Sequence, residues 1–200
     1  MGIELVGTRA SGISETASLA ERLDVDQGDG ISIASAYWDV EACTTAIDLA
    51  MRIGSVTQLV LWTAGGTRKA WIAAREAAAS PALDLRFIDS PEGGGIFHAK
   101  VAGVTHEHGD WLRALVGSAN LTSAARERNV ELGVLIHDDP VALAQLRDWY
   151  GELWTAAVPA ARIDFDAAIA IAPDHSEAAA RKATFAAAAL AAPAPAVPYR

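Results

Sequence analysis

Residues 98–131 read HAKVAGVTHEHGDWLRALVGSANLTSAARERNVE, and this stretch decides the fold. His98 and Lys100 stand two apart in a run of strand-forming residues, so a strand carries both side chains on one face. Residues 112–116 read as a second strand, and the intervening HEHGD predicts a hairpin. That hairpin runs into Gly117-Ser118-Ala119-Asn120, a tight polar turn that delivers Asn120 near the strand ends. Residues 130–136 form a third apolar run, opened by Glu131. One imidazole, one ammonium, one carboxamide and one carboxylate therefore converge at the end of a small sheet, a set suited to handling phosphate.

Outward from this stretch, helices and strands alternate. A short helix is expected at 14–23 with Ser14 as its cap, then a turn at 27–30 and a strand at 31–38. Asp39 caps a helix over about 40–52, with Ala42, Ala46, Leu49 and Ile53 at helical spacing. A strand at 56–62 is broken by Ala64-Gly65-Gly66-Thr67, and a helix follows to about residue 79. Pro81 ends it, residues 83–88 make another strand, and 90–95 approach His98 as a flexible segment. Beyond residue 136, Asp139-Pro140 opens a helix to about residue 154. Such alternation, interrupted by one hairpin, reads as α/β with a mixed sheet flanked by helices. Residues 1–29 are expected to be an N-terminal extension, 30–157 the domain, and 158–200 an Ala/Pro-rich tail. Within that tail residues 176–190 could form an Ala-rich helix, and 191–200 read as a disordered end.

The motifs resemble the phospholipase D superfamily, whose signature runs H-x-K, then G-S-x-N, then a downstream carboxylate. The matching residues are His98-Ala99-Lys100, Gly117-Ser118-Ala119-Asn120 and Glu131, with Leu121-Thr122 and Asn129-Val130-Glu131-Leu132 also similar. H-x-K alone is weak; the three pieces in order and correctly spaced are specific. One position departs from the pattern. The family usually carries an aspartate five residues after the lysine, where this chain has Thr105, and Asp110 would need a different hairpin register to replace it.

The resemblance implies a phospholipase D-like mixed sheet with one motif per chain, and a phosphodiesterase that needs no metal or other cofactor. It assigns His98 as the nucleophile that forms a covalent phosphohistidine, splitting one hard step into two. Lys100 and Asn120 would hold the non-bridging oxygens, and Glu131 would orient the imidazole. Ser118, Thr122, Arg126 and Arg128 are candidates for contacting substrate phosphate, although a turn hydroxyl, a helix cap and a solvated helix end explain them as well. Full catalysis in the family takes two motif copies. No second H-x-K occurs here, since His106, His108, His137 and His175 lack a lysine two residues later. The expected partner is therefore a second copy of the chain, with His98 of each subunit facing across a two-fold axis. Nucleic acid is the expected substrate, on family analogy and the lack of a membrane-binding stretch. A lipid or other small phosphodiester, or an inactive module that binds nucleic acid or a partner, is the alternative.

Composition limits the remaining choices. Of 200 residues 52% are hydrophobic, enough to bury a core, and no apolar run reaches membrane-spanning length. The N-terminus lacks the pattern of a secretory signal, and Val6 stands where a myristoylation site needs Ser or Thr. Cys43 is the only cysteine, which fits a reducing cytoplasm. It lies on an apolar helical face and is expected to be buried. The formal net charge of −9 means that a polyanion must meet a local basic patch. Arg68, Lys69, Arg113, Arg126 and Arg128 are the candidates. Gly65-Gly66-Thr67 lacks P-loop spacing and is expected to be a loop with a Thr cap. His106 and His108 have no Cys or third His nearby to complete a metal site, which favours a solvated hairpin. Trp111, at the hairpin, is the tryptophan to consider as a base-stacking platform.

Overall fold

The computed structural model describes residues 2–7, 19–90, 96–106, 109–122, 125 and 132–174. Eight strands among them form one mixed sheet: β1 (Gly2–Gly7), β2 (Gly30–Ser35), β3 (Thr57–Trp62), β4 (Leu83–Ile88), β5 (Lys100–Thr105), β6 (Trp111–Gly117), β7 (Leu132–His137) and β8 (Val158–Pro159). Their spatial order is β1-β7-β6-β5-β2-β3-β4-β8. β2, β3 and β4 run parallel to one another, and the other neighbours are antiparallel.

Helices cover both faces. α1 (Leu19–Leu23), α2 (Val40–Ile53), α3 (Arg68–Ala77) and α5 (Phe165–Ile171) lie on one face, and α4 (Pro140–Ala156) lies on the other. Alternation sorts the strand residues between the layers. Leu59 and Leu61 face α2, whereas Val60 and Trp62 face α4. The α2-side core is built on Trp38, Trp71, Phe87 and Phe165, with Trp71 stacked on Phe87 at 4.6 Å. On the α4 side the buried Tyr150 hydroxyl points at two strand carbonyls, 3.3 Å from Ile33 O and 3.2 Å from Gln58 O.

The expected helices are capped as the sequence suggests. Asp39 accepts from the Glu41 N–H, Thr67 from Ala70 and Asp139 from Ala142. Several boundaries differ. β2 stops at Ser35, because the chain leaves the ladder to place Trp38 between Gly66 and Leu121 in two isolated bridges. Residues 2–7 and 158–174, set apart by the sequence reading as extension and tail, join the same sheet or pack on it. A six-residue edge strand and a two-residue strand carry too little periodicity to be seen from sequence. Ser14, residues 91–95 and residues 176–190 lie outside the described residues.

The hairpin forms where expected, with the His106 N–H bonded to Asp110 O and Gly109 at φ 79°. It contains one irregularity: Val104 pairs with Arg113 but Thr105 with Trp111, so Leu112 is an extra residue on β6. The bulge turns Trp111 onto the α4 face, where it packs against Tyr150 and fills the space a side chain at Gly103 would need. Trp111 is 6% exposed, which corrects the expectation of a base-stacking platform at that residue.

The Gly65-Gly66 pair is explained by close packing. A Cβ on Gly65 would stand 1.8 Å from Ala36 O, and one on Gly66 2.4 Å from the Trp38 ring. Gly65→Ala should therefore lower stability by about 3 kcal/mol or more in a denaturant titration. Cys43 is buried as expected, and burial raises its thiol from an ordinary 9.0 to about 12. Between those values the unfolded thiol ionises while the folded one keeps its proton, so it lowers stability as pH rises. A Cys43→Ala variant should show a shallower loss of stability over that window, measured by denaturant titration at a series of pH values.

Candidate functional site

The carboxyl ends of the parallel strands β2 and β3, the start of β5, the end of β6 and the start of β7 lie at one end of the sheet. Open α/β sheets use such an end for ligands, because the loops diverge there.

Lys100 opens β5 and pairs in register with Ser35, the last residue of β2. Its side chain shares the α2 face with Ala102 and Val104 and is only 8% exposed. The ammonium donates to the His98 carbonyl at 3.1 Å and lies 3.1 Å from each ring nitrogen of His98. The ammonium thus sits against the imidazole rather than beside it. His98 itself stands two residues before β5, outside the strand expected to hold it. The lysine contact still holds both side chains on one side, and the imidazole is exposed.

The turn after β6 is tied to the end of β2. Ser35, 1% exposed, accepts the Leu121 N–H at 3.0 Å and donates to Tyr37 O at 2.8 Å. The Tyr37 N–H donates in turn to Asn120 Oδ1 at 3.1 Å. That bond fixes which end of the carboxamide is the oxygen and leaves its NH₂ end as the donor. Tyr37 also sets its ring edge-on to His98, with centroids 5.9 Å apart, and to Trp62 at 5.6 Å. Lys100 and Asn120 line a common cavity of about 710 Å³, walled by Ile33, Leu49 and Leu115.

Of the residues singled out in the sequence, His98, Lys100 and Asn120 thus come together at one end of the sheet. The Ser118 hydroxyl accepts from the Leu132 N–H, and Thr122 caps Ala125. Glu131, Arg126, Arg128, Glu107 and His108 lie outside the described residues. Arg68 pairs with Asp174, Arg113 with Asp24, and His106 with Asp29. Thr105 is at the opposite end of β5 from Lys100, about 17 Å away along the strand. It faces Gly30, and its carbonyl accepts from Asp29 N–H. Asp110 pairs with Arg147 and does not take its place.

Two residues with no part in the sequence reading prove central here, Ser35 and Tyr37. Ser35 had a legible signal: it is a hydroxyl on the apolar face of Gly-Ile-Ser-Ile-Ala-Ser, in line with Ile31 and Ile33. Tyr37 had none, since its position depends on where the chain turns after β2.

The mixed sheet and its two helix layers form a phospholipase D-like phosphodiesterase fold. The chain belongs to the family described as cardiolipin synthase, PLD-like domain, which matches residues 26–154. Among solved structures it is similar to Nuc from Salmonella typhimurium, a phospholipase D family member. The TM-score is 0.60 at 21% identity, covering 79% of this chain and 97% of that one. NucT from Helicobacter pylori gives a TM-score of 0.53 at 17% identity, covering 79% of this chain and 99% of that one. Phosphatidylserine synthase from Haemophilus influenzae Rd KW20 gives 0.55 at 16% identity, covering 78% of this chain and 39% of that one. No curated protein matches the sequence.

Ser35→Ala should remove the acceptor for Leu121 and the donor to Tyr37 together. A loss of about 1–3 kcal/mol is expected, read by chemical denaturation.

Proposed function

We propose that this chain is a metal-independent phosphodiesterase acting on nucleic acid through a phosphohistidine on His98, in a site completed by a second copy of the chain. The observation that carries this reading is the Lys100 ammonium held against His98, 3.1 Å from each ring nitrogen. A phosphodiester repels nucleophiles because its oxygens are charged, so a cation and a donor beside the attacking atom lower the barrier.

In the first step a ring nitrogen of His98 bonds to phosphorus and the bond to the leaving oxygen breaks. Lys100 and the Asn120 NH₂ hold the non-bridging oxygens. The partner copy's imidazole protonates the leaving oxygen. In the second step that imidazole takes a proton from water, whose oxygen attacks phosphorus and releases His98. Glu131 accepts a hydrogen bond from the ring and fixes its tautomer. Ser118, Thr122, Arg126 and Arg128 flank the bound strand.

A second reading is a lipid phosphodiester. The apolar wall of the cavity beside Lys100 and the family description favour it. No helix among the described residues is long and apolar enough to cross a membrane.

The test compares wild type with His98→Ala on single- and double-stranded DNA and RNA and on phospholipid vesicles, all in excess EDTA. Nucleic-acid cleavage should persist in EDTA and fall about 10³-fold or more in the variant. Cleavage lost in EDTA and restored by a divalent ion would sink the mechanism; lipid hydrolysis alone would favour the second reading. Adding excess His98→Ala chain should poison wild type through mixed dimers, and an unchanged rate would exclude the shared site.

A further inference from the structure

Tyr37 is the aromatic ring presented at this site. Its backbone is held on both sides, by the Ser35 hydroxyl on its carbonyl and by Asn120 on its N–H. The residue is nonetheless 40% exposed, while Trp62, which its ring meets in a T-shaped contact, is 6% exposed. A fixed, exposed aromatic ring 5.9 Å from the His98 ring stands within the reach of one sugar from a phosphate bound at that histidine.

We infer that the Tyr37 ring is the platform on which the base next to the scissile phosphate stacks, which makes single-stranded nucleic acid the substrate class. This rests on the nuclease reading of the site. A base inside a duplex already has both faces covered, so only an unpaired one can lie on the ring. A quaternary-ammonium headgroup is the other ligand an aromatic ring can take, but it is bound by a cage of several ring faces. Here Trp62 is buried, and among the described residues Tyr37 is the one exposed ring in contact with His98. The Tyr37 hydroxyl makes no hydrogen bond with a described residue, so the ring rather than the oxygen carries the role.

The test measures kcat and KM on a single-stranded oligonucleotide and on the same oligonucleotide with one abasic residue beside the cleaved phosphate. The enzymes compared are wild type, Tyr37→Leu and Tyr37→Phe. Tyr37→Leu should raise KM roughly 5- to 100-fold with little change in kcat, the range that base–aromatic stacking gives. Tyr37→Phe should stay close to wild type. The abasic residue should cost wild type the same factor and cost Tyr37→Leu nothing further, because both changes remove one contact. Additive losses, or a fall in kcat with KM unchanged, would overturn the inference and make Tyr37 a positioning residue for His98. Duplex cleaved as well as single strands would also overturn it. Failure of wild type to cleave any nucleic acid would instead sink the nuclease reading, and Tyr37-dependent hydrolysis of phosphatidylcholine vesicles would reassign the ring to the headgroup.

Discussion

A lysine ammonium taken largely out of water at the first residue of β5 is the constraint around which this end of the molecule is organised. A buried charge survives only with polar atoms around it. The His98 carbonyl and imidazole, two residues ahead of the lysine, supply some of them. The histidine is thus placed by the needs of the lysine as much as by its own packing. Beside the lysine, the antiparallel register brings the Ser35 hydroxyl to the same level, where it anchors the turn that carries Asn120. Three loops distant in sequence are held together by one short strand pair.

Much of this was legible in the sequence. The helices announced themselves through caps at Asp39, Thr67 and Asp139, and the parallel strands through apolar runs bounded by Gly and Pro. The pieces of the site were legible because their chemistry is specific in combination: imidazole and ammonium two residues apart, then a carboxamide in a glycine-led turn. Spacing alone could not say that His98 precedes the strand, because extended chain and strand share the same alternation.

The rest was hidden for identifiable reasons. Trp111 misleads because a bulge is invisible in a hydrophobic pattern, and the one-residue offset moves the indole from one helix layer to the other. Tyr37 is hidden because its role depends on a backbone hydrogen bond to a residue 83 positions away. Residues 158–174 looked like tail because alanine and proline dominate them, yet Phe165 closes the aromatic cluster with Trp71 and Phe87.

The extra residue at Leu112 divides β6 into two segments of opposite parity, while β5 beside it keeps one phase throughout. Toward Gly117 the regular phase of β6 puts Ala114 on the α4 face; toward the hairpin the inverted phase puts Trp111 on that same face. The offset is confined to β6, so the hairpin end of the ribbon buries an indole while β5 keeps the single phase that sets the direction of Lys100.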